Sequence, residues 1–117
     1  MPEAPVDVSQ MTDAFGEDYE LLSEIYQVFI EDCGARLESL TAIVASQDAG
    51  QCREVAHSIK GSSANVGAST IKEIAAALES DARAGDMSHA QERLDSLNTE
   101  FPRAKAFIFE YLDSIKP

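Results

Sequence analysis

Tryptophan is absent from the 117 residues, and cysteine (2), proline (4) and glycine (6) are scarce. Cys33 and Cys52 are far apart and embedded in apolar helical patterns, which excludes a disulfide framework or a CxxC metal clip and predicts two small buried thiols. No run approaches the ~20 apolar residues of a membrane span, and the start MPEAPVDVSQ has neither a basic nor an apolar leader region. A cytoplasmic protein is expected. Basic residues are also few: 9 Lys and Arg face 21 Asp and Glu, a net charge of -12. Readers of a phosphate backbone need a dense Lys/Arg surface for counterion release, so nucleic acid and anionic membranes are excluded as partners.

What is present describes one folded unit. Hydrophobic residues make up 44% and charged residues 26%, a balance that supports a packed core. The length fits a single domain over residues 1–117, expected to be monomeric. No internal repeat, low-complexity tract or linker interrupts it. The charge is uneven. Residues 1–50 hold 11 acidic side chains and one basic one, Arg36, whereas residues 51–117 hold 10 acidic and 8 basic. Arg53, Lys60 and Lys72 therefore form a basic island that can hold an anion or steer an acidic partner, unless they merely solvate a helix face.

The apolar spacing predicts helices and no strand. From Glu17 to about Gln47, Leu22, Ile25, Tyr26, Phe29, Cys33, Leu37, Leu40 and Val44 recur at three- and four-residue steps, one buried stripe on a long helix with a bend expected near Gly34. Asp48 with Gln51 opens a second helix, whose buried face is Cys52, Val55, Ala56, Ile59 and Ser63. Thr70 with Glu73 reads as a capping box for a third, carrying Ile71, Ile74, Ala75, Leu78 and Ala82 and ending at Gly85. Ser88 with Gln91 opens a fourth, along Leu94, Leu97, Phe101, Ile108, Leu112 and Ile115, which Pro102 should kink or interrupt. Val8, Met11 and Phe15 suggest a short extra helix over about residues 7–15, capping one end of the core. The expected fold is all-α: an antiparallel up-down four-helix bundle over about residues 17–115 with that extra N-terminal helix.

The second helix carries the chemistry. At about 100° per residue, with Cys52 at zero, its apolar residues gather within about 60° and His57 falls about 140° away. The imidazole stands outside the buried stripe. Arg53 and Lys60 lie one turn either side of it, at about 100° and 80°. Gly61, at i+4 from His57, occupies a helix interior where it costs about 1 kcal/mol relative to Ala. Together with Ala64 at i+7 it clears a lane toward the ring, although close helix packing would explain the same glycine. His89 falls in a first helical turn and reads as plain surface.

The run AHSIKGSSANVGA, residues 56–68, resembles the H-x-x-K-G signature and following small residues of histidine-containing phosphotransfer (HPt) domains. The A-L-E-x-x-A-R-x-G-D stretch from Ala77 to Asp86 and the helical pattern around both are similar to that family over nearly the whole chain. His57-Ser58-Ile59-Lys60-Gly61 also resembles the N-terminal phosphotransfer domain of chemotaxis histidine kinases. The resemblance implies a phosphorelay intermediate. His57 would accept a phosphoryl group from a receiver-domain aspartate and pass it, reversibly, to another receiver. A neutral imidazole is the nucleophile, Lys60 would make charge-assisted contacts to the phosphoryl oxygens, and Arg53 would be a second cation. Ser58, Gly61 and Ala64 would line the docking face. Partners would be receiver domains of hybrid histidine kinases and response regulators. The protein would need no cofactor, Mg2+ belonging to the receiver alone.

Other chemistries fit less well. A dimerising kinase core would place an acidic residue after its histidine, where this chain has Ser58, and would need an ATP-binding domain, so a phosphocarrier without kinase activity is expected. Gly61 to Gly67 lacks the G-K-[S/T] ending and the preceding strand of a phosphate loop. His57, His89, Cys33 and Cys52 do not cluster as zinc ligands, and no metal site is expected. The alternative is an HPt-like adaptor that docks receivers or other partners without carrying phosphate.

Overall fold

A computed structural model describes residues 4–117, which contain five helices and no strand. They are α1 (Ser9–Phe15), α2 (Tyr19–Ala45), α3 (Ala49–Val66), α4 (Ser69–Arg83) and α5 (Ala90–Ile115). Helix α2 packs on α3 and α5, and α4 packs on the same two, so four helices close a ring around one core. The expected stripes are what that core buries. Leu22, Tyr26, Phe29, Cys33, Leu37, Leu40 and Val44 of α2, Cys52, Ala56, Ile59 and Ser63 of α3, Ile71, Ala75, Leu78 and Ala82 of α4, and Leu94, Leu97, Ile108 and Leu112 of α5 are all buried. Ile25, Val55, Ile74, Phe101 and Ile115 pack against its edge. Both cysteines are free and buried, and burial pushes the Cys33 thiol up to about 12, which leaves it inert as a nucleophile.

The helix starts follow the expected chemistry in part. Asp18 and Asp48 cap α2 and α3 by accepting hydrogen bonds from the Leu21 and Gln51 amides, at 3.2 and 3.0 Å. Thr70, expected as a cap, lies inside α4 instead. The turn between α3 and α4 is too tight to need it: Gly67 adopts φ +78° and its amide and that of Ala68 reach back to Ala64 and Ser63, so the next helix begins at Ser69. Ser88 is likewise no cap, because its amide and hydroxyl are both committed to Asp86, and His89 takes the position before α5. Gly85 follows the end of α4 with φ +76°, as expected of a C-terminal glycine.

Neither Gly34, where a bend is expected, nor Pro102, where a kink or interruption is expected, interrupts its helix. Helix α5 runs unbroken through Pro102, whose ring sits on the exposed face. A proline removes one donor and crowds the preceding turn, both cheapest where water reaches the freed carbonyl. Helix α2 runs through Gly34, where a Cβ would stand 3.6 Å from the Phe101 ring. A side chain there would make ordinary contact with that ring, so α2 passes Gly34 beside α5 without interruption.

The N-terminal helix begins at Ser9, slightly later than expected, with Met11 buried and Phe15 exposed. The segment before it is pinned to the end of α3: the Asp7 amide donates to the Gly67 carbonyl at 2.8 Å. A Cβ on Gly67 would come within 2.3 Å of the Asp7 carbonyl oxygen. Gly67→Ala therefore meets both a left-handed φ and a backbone clash, and should lower thermal stability by about 1–3 kcal/mol with release of the N-terminal segment. Calorimetry with amide exchange at residues 6–12 checks this; unchanged protection there would show that the contact is dispensable.

Candidate functional site

Helices α3 and α4 meet at a histidine and a carboxylate. The His57 side chain is 67% exposed, outside the buried stripe of α3 as its wheel position requires. Its Nδ1 lies 2.7 Å from Oε2 of Glu79 on α4, so Nε2 is the ring nitrogen left for a partner. Glu79 is 4% exposed. The Lys60 ammonium sits 2.5 Å from its other oxygen, and the Arg83 guanidinium donates to Oε2 at 3.1 Å. One buried carboxylate thus gathers an imidazole and two permanent cations. A charge so placed is tolerable only when paired and hydrogen-bonded. The Lys60 ammonium holds the carboxyl below the usual carboxylate range against the opposing effect of burial, with His57 adding to it.

Around this hub Arg53, Glu54, His57, Ser58, Glu79 and Arg83 line a surface pocket of about 310 Å³. Arg53 is exposed and Ser58 half-buried, the Ser58 hydroxyl donating to the Glu54 carbonyl at 3.2 Å. Gly61 is exposed, and a Cβ there would meet nothing within 4 Å, so the glycine is not needed for helix packing. Ala64 is half-buried and its carbonyl accepts from the Gln10 side chain at 2.7 Å, which brings α1 to the end of the same lane. A larger groove of about 610 Å³, between α2 and α5 over Phe101, carries Glu31, Glu38 and Lys105 and no histidine or cysteine.

The expected basic island is revised in two respects. Lys60 is already engaged by Glu79, so the notch is not purely cationic. Lys72 does not line it; Arg83 does, from the far end of α4. His89 is surface, 57% exposed and 3.5 Å from Glu92. Among the described residues no three His, Cys, Asp or Glu side chains gather as metal ligands, and no helix is long and apolar enough to cross a membrane.

The Hpt domain profile matches residues 24–107. The chain belongs to the Hpt family. The crystal structure of histidine-containing phosphotransfer protein B (HptB) from Pseudomonas aeruginosa PAO1 superposes with a TM-score of 0.84 at 26% identity, covering 97% of this chain and 98% of that one. No curated protein sequence matches. Membership of the Hpt family supports a histidine-phosphotransfer role in two-component signalling.

Glu79 and Arg83 lie within the Hpt-like stretch Ala77–Asp86, yet neither stands out as a site residue in the sequence. The available signal is positional: on the α4 wheel, Glu79 falls only about 80° from Ile71, at the edge of the buried stripe, with Arg83 one turn on. A carboxylate there must find a partner across the helix interface. Because its folded-state pKa is depressed, Glu79 contributes stability that is present above the ordinary carboxylate pKa and lost as pH falls through the folded value. Glu79→Gln should therefore lower the melting temperature at about pH 5, with the gap to the parent shrinking toward about pH 3. Thermal melts across that range check it, and a gap that widens on acidification would refute the assigned role of the ion cluster.

Proposed function

We propose that the protein is a phosphorelay intermediate: His57 accepts a phosphoryl group from a receiver-domain aspartate and passes it, reversibly, to another receiver. The observation that carries this reading is the outward-facing Nε2 of a largely exposed imidazole, its other nitrogen already bonded to Glu79. Phosphoryl transfer demands positioning and charge neutralisation more than covalent assistance. Arg53, Lys60 and Arg83 supply positive charge close to the reacting nitrogen, and Gly61 leaves the approach open. Lys60 would turn part of its charge from Glu79 to the incoming phosphoryl oxygens, with Arg53 as a second contact. The protein acts as a cytoplasmic monomer, a carrier without kinase activity of its own, and the Mg2+ needed for the reaction belongs to the receiver.

The short connections at Ser46–Asp48 and Gly67–Ala68 support an up-and-down order of α2 to α5. In that arrangement α3 presents His57, Ser58, Gly61 and Ala64 along one side, the strip a receiver of a hybrid kinase or response regulator would cover. Those partners bring the acidic pocket and the metal.

Incubation with a phosphorylated cognate receiver should place an acid-labile label on the protein, absent in His57→Gln. A label that survives that substitution overturns the assignment of His57. Lack of transfer to or from every receiver of the host would favour a docking adaptor instead. Gly61→Arg should stay folded yet cut transfer at least tenfold by obstructing docking; unchanged rates would show that the open lane plays no part. Lys60→Ala should slow transfer or shorten the phosphohistidine lifetime, as followed by loss of label.

A further inference from the structure

We propose that the groove between α2 and α5 is a second docking surface, shaped for a cationic amphipathic helix of a partner protein and set across the bundle from His57. Helix α2 touches α3 and α5, and α4 touches the same two, so the α2–α5 edge lies opposite the α3–α4 edge that carries the imidazole. A partner seated on one edge leaves the other open. The inference stands whether or not His57 carries phosphate.

The groove has an apolar floor and a charged rim. Ile30 and Leu37 of α2 and Phe101 of α5 form the floor, and Gly34 leaves the Phe101 ring uncovered from the α2 side. An apolar side chain lowered into that dent would remove wetted surface from water. On the outer line of α2, Glu20, Glu24, Glu31 and Glu38 fall within about 40° of one another, opposite the buried stripe. All four are exposed. Glu24, Glu31 and Glu38 follow one another at seven-residue steps, roughly 10 Å apart along the axis. Acids elsewhere have cations beside them: Asp32 has Arg36, Asp81 has Arg93, and Glu100 has Arg103. Among the described residues no member of this row is ion-paired, and Glu31 only accepts a hydrogen bond from the Gln27 amide at 2.9 Å.

The occupant follows from that chemistry. A helix laid along a groove presents apolar anchors to the floor and one charged edge to each rim, as in helix-in-groove recognition and coiled-coil pairing. Cations at heptad spacing match the glutamate row, and an apolar anchor between them meets Phe101. Lys105, the one cation of the groove, marks the opposite rim and fits an acidic side chain on the far edge of the same helix. A second copy of this chain fits poorly, because two molecules of net charge -12 repel and one lysine cannot answer four carboxylates.

The test uses 15N-labelled protein and a synthetic helical peptide about three heptads long, with lysine at seven-residue intervals beside a leucine stripe. Amide shifts should centre on residues 30–41 and 98–105 and spare His57 and Glu79. A peptide of the same composition with its stripe scrambled should bind about tenfold more weakly or worse. Glu31→Lys with Glu38→Lys should weaken binding of the striped peptide about tenfold or more. Glu92→Lys with Asp95→Lys, the same change of net charge on the α4–α5 flank, should leave it within about twofold. Gly34→Leu fills the dent with a side chain whose Cβ makes only ordinary contact, and should abolish the shifts around Phe101 while circular dichroism reports intact helices. Should that variant fail to fold, the paired charge reversals still decide. Equal losses in the two reversals, or equal binding of the scrambled peptide, overturn the proposal in favour of diffuse attraction to an acidic surface. Shifts centred on His57 overturn it as well. So do concentration-dependent shifts at the groove without peptide, which would assign it to a second copy of this chain.

Discussion

A single carboxylate, buried between two helices, organises the charged face that α3 and α4 share. Glu79 is nearly out of reach of water, and an isolated charge in such a place would be untenable. It is satisfied only because α3 brings Lys60 and His57 to its two oxygens while its own helix supplies Arg83 one turn on. The requirement runs in both directions. The carboxylate needs its partners for solvation, and the partners acquire fixed orientations that exposed side chains rarely keep. Positional order of this kind is expensive to obtain on a surface, where flexible lysines and histidines lose rotamer entropy for little electrostatic return. Burying the anion shifts that balance.

The register that makes the meeting possible is set elsewhere. Gly67 turns the chain from α3 into α4 within two residues, so the two helices run side by side with no slack in their alignment. Asp7 fills the space above that glycine, and Gln10 holds the last turn of α3 through the Ala64 carbonyl. The apolar interior, from Leu22 to Leu112, holds the remaining helices against this pair. The contact between His57 and Glu79 therefore depends on a backbone feature nearly three helical turns away from the imidazole.

Much of this is legible in the sequence alone. Local periodicity marked which side chains of α2, α3, α4 and α5 face inward, because a 3.6-residue repeat reports a one-sided burial directly. It also placed His57 outside the stripe and Gly61 beside it. What escaped were matters settled between helices. Thr70 and Ser88 carry good capping chemistry, yet a tight turn and the competing carboxylate of Asp86 made it unnecessary or unavailable. Pro102 reads as a break, but on an exposed face the helix absorbs it. Glu79 looks like one more acid in an acidic chain; its wheel position at the edge of the buried stripe sets it apart, but its partners emerge only from the packing of α4 on α3. Its contact with His57 spans 22 positions, a relation no local window contains.

The uneven distribution of acidic groups has an electrostatic consequence of its own. Helix α2 carries Glu20, Glu24, Glu31, Asp32 and Glu38 against the lone Arg36, while Arg53, Lys60 and Arg83 collect around the imidazole. The α2 flank is therefore strongly negative, whereas the cations beside the exposed imidazole offset the carboxylates of Glu54 and Glu79 there. An approaching surface rich in carboxylates experiences a torque before contact, turning the imidazole face toward it and the α2 flank away. Raising ionic strength shortens the range of this torque, so productive encounters thin out while the bound geometry stays the same.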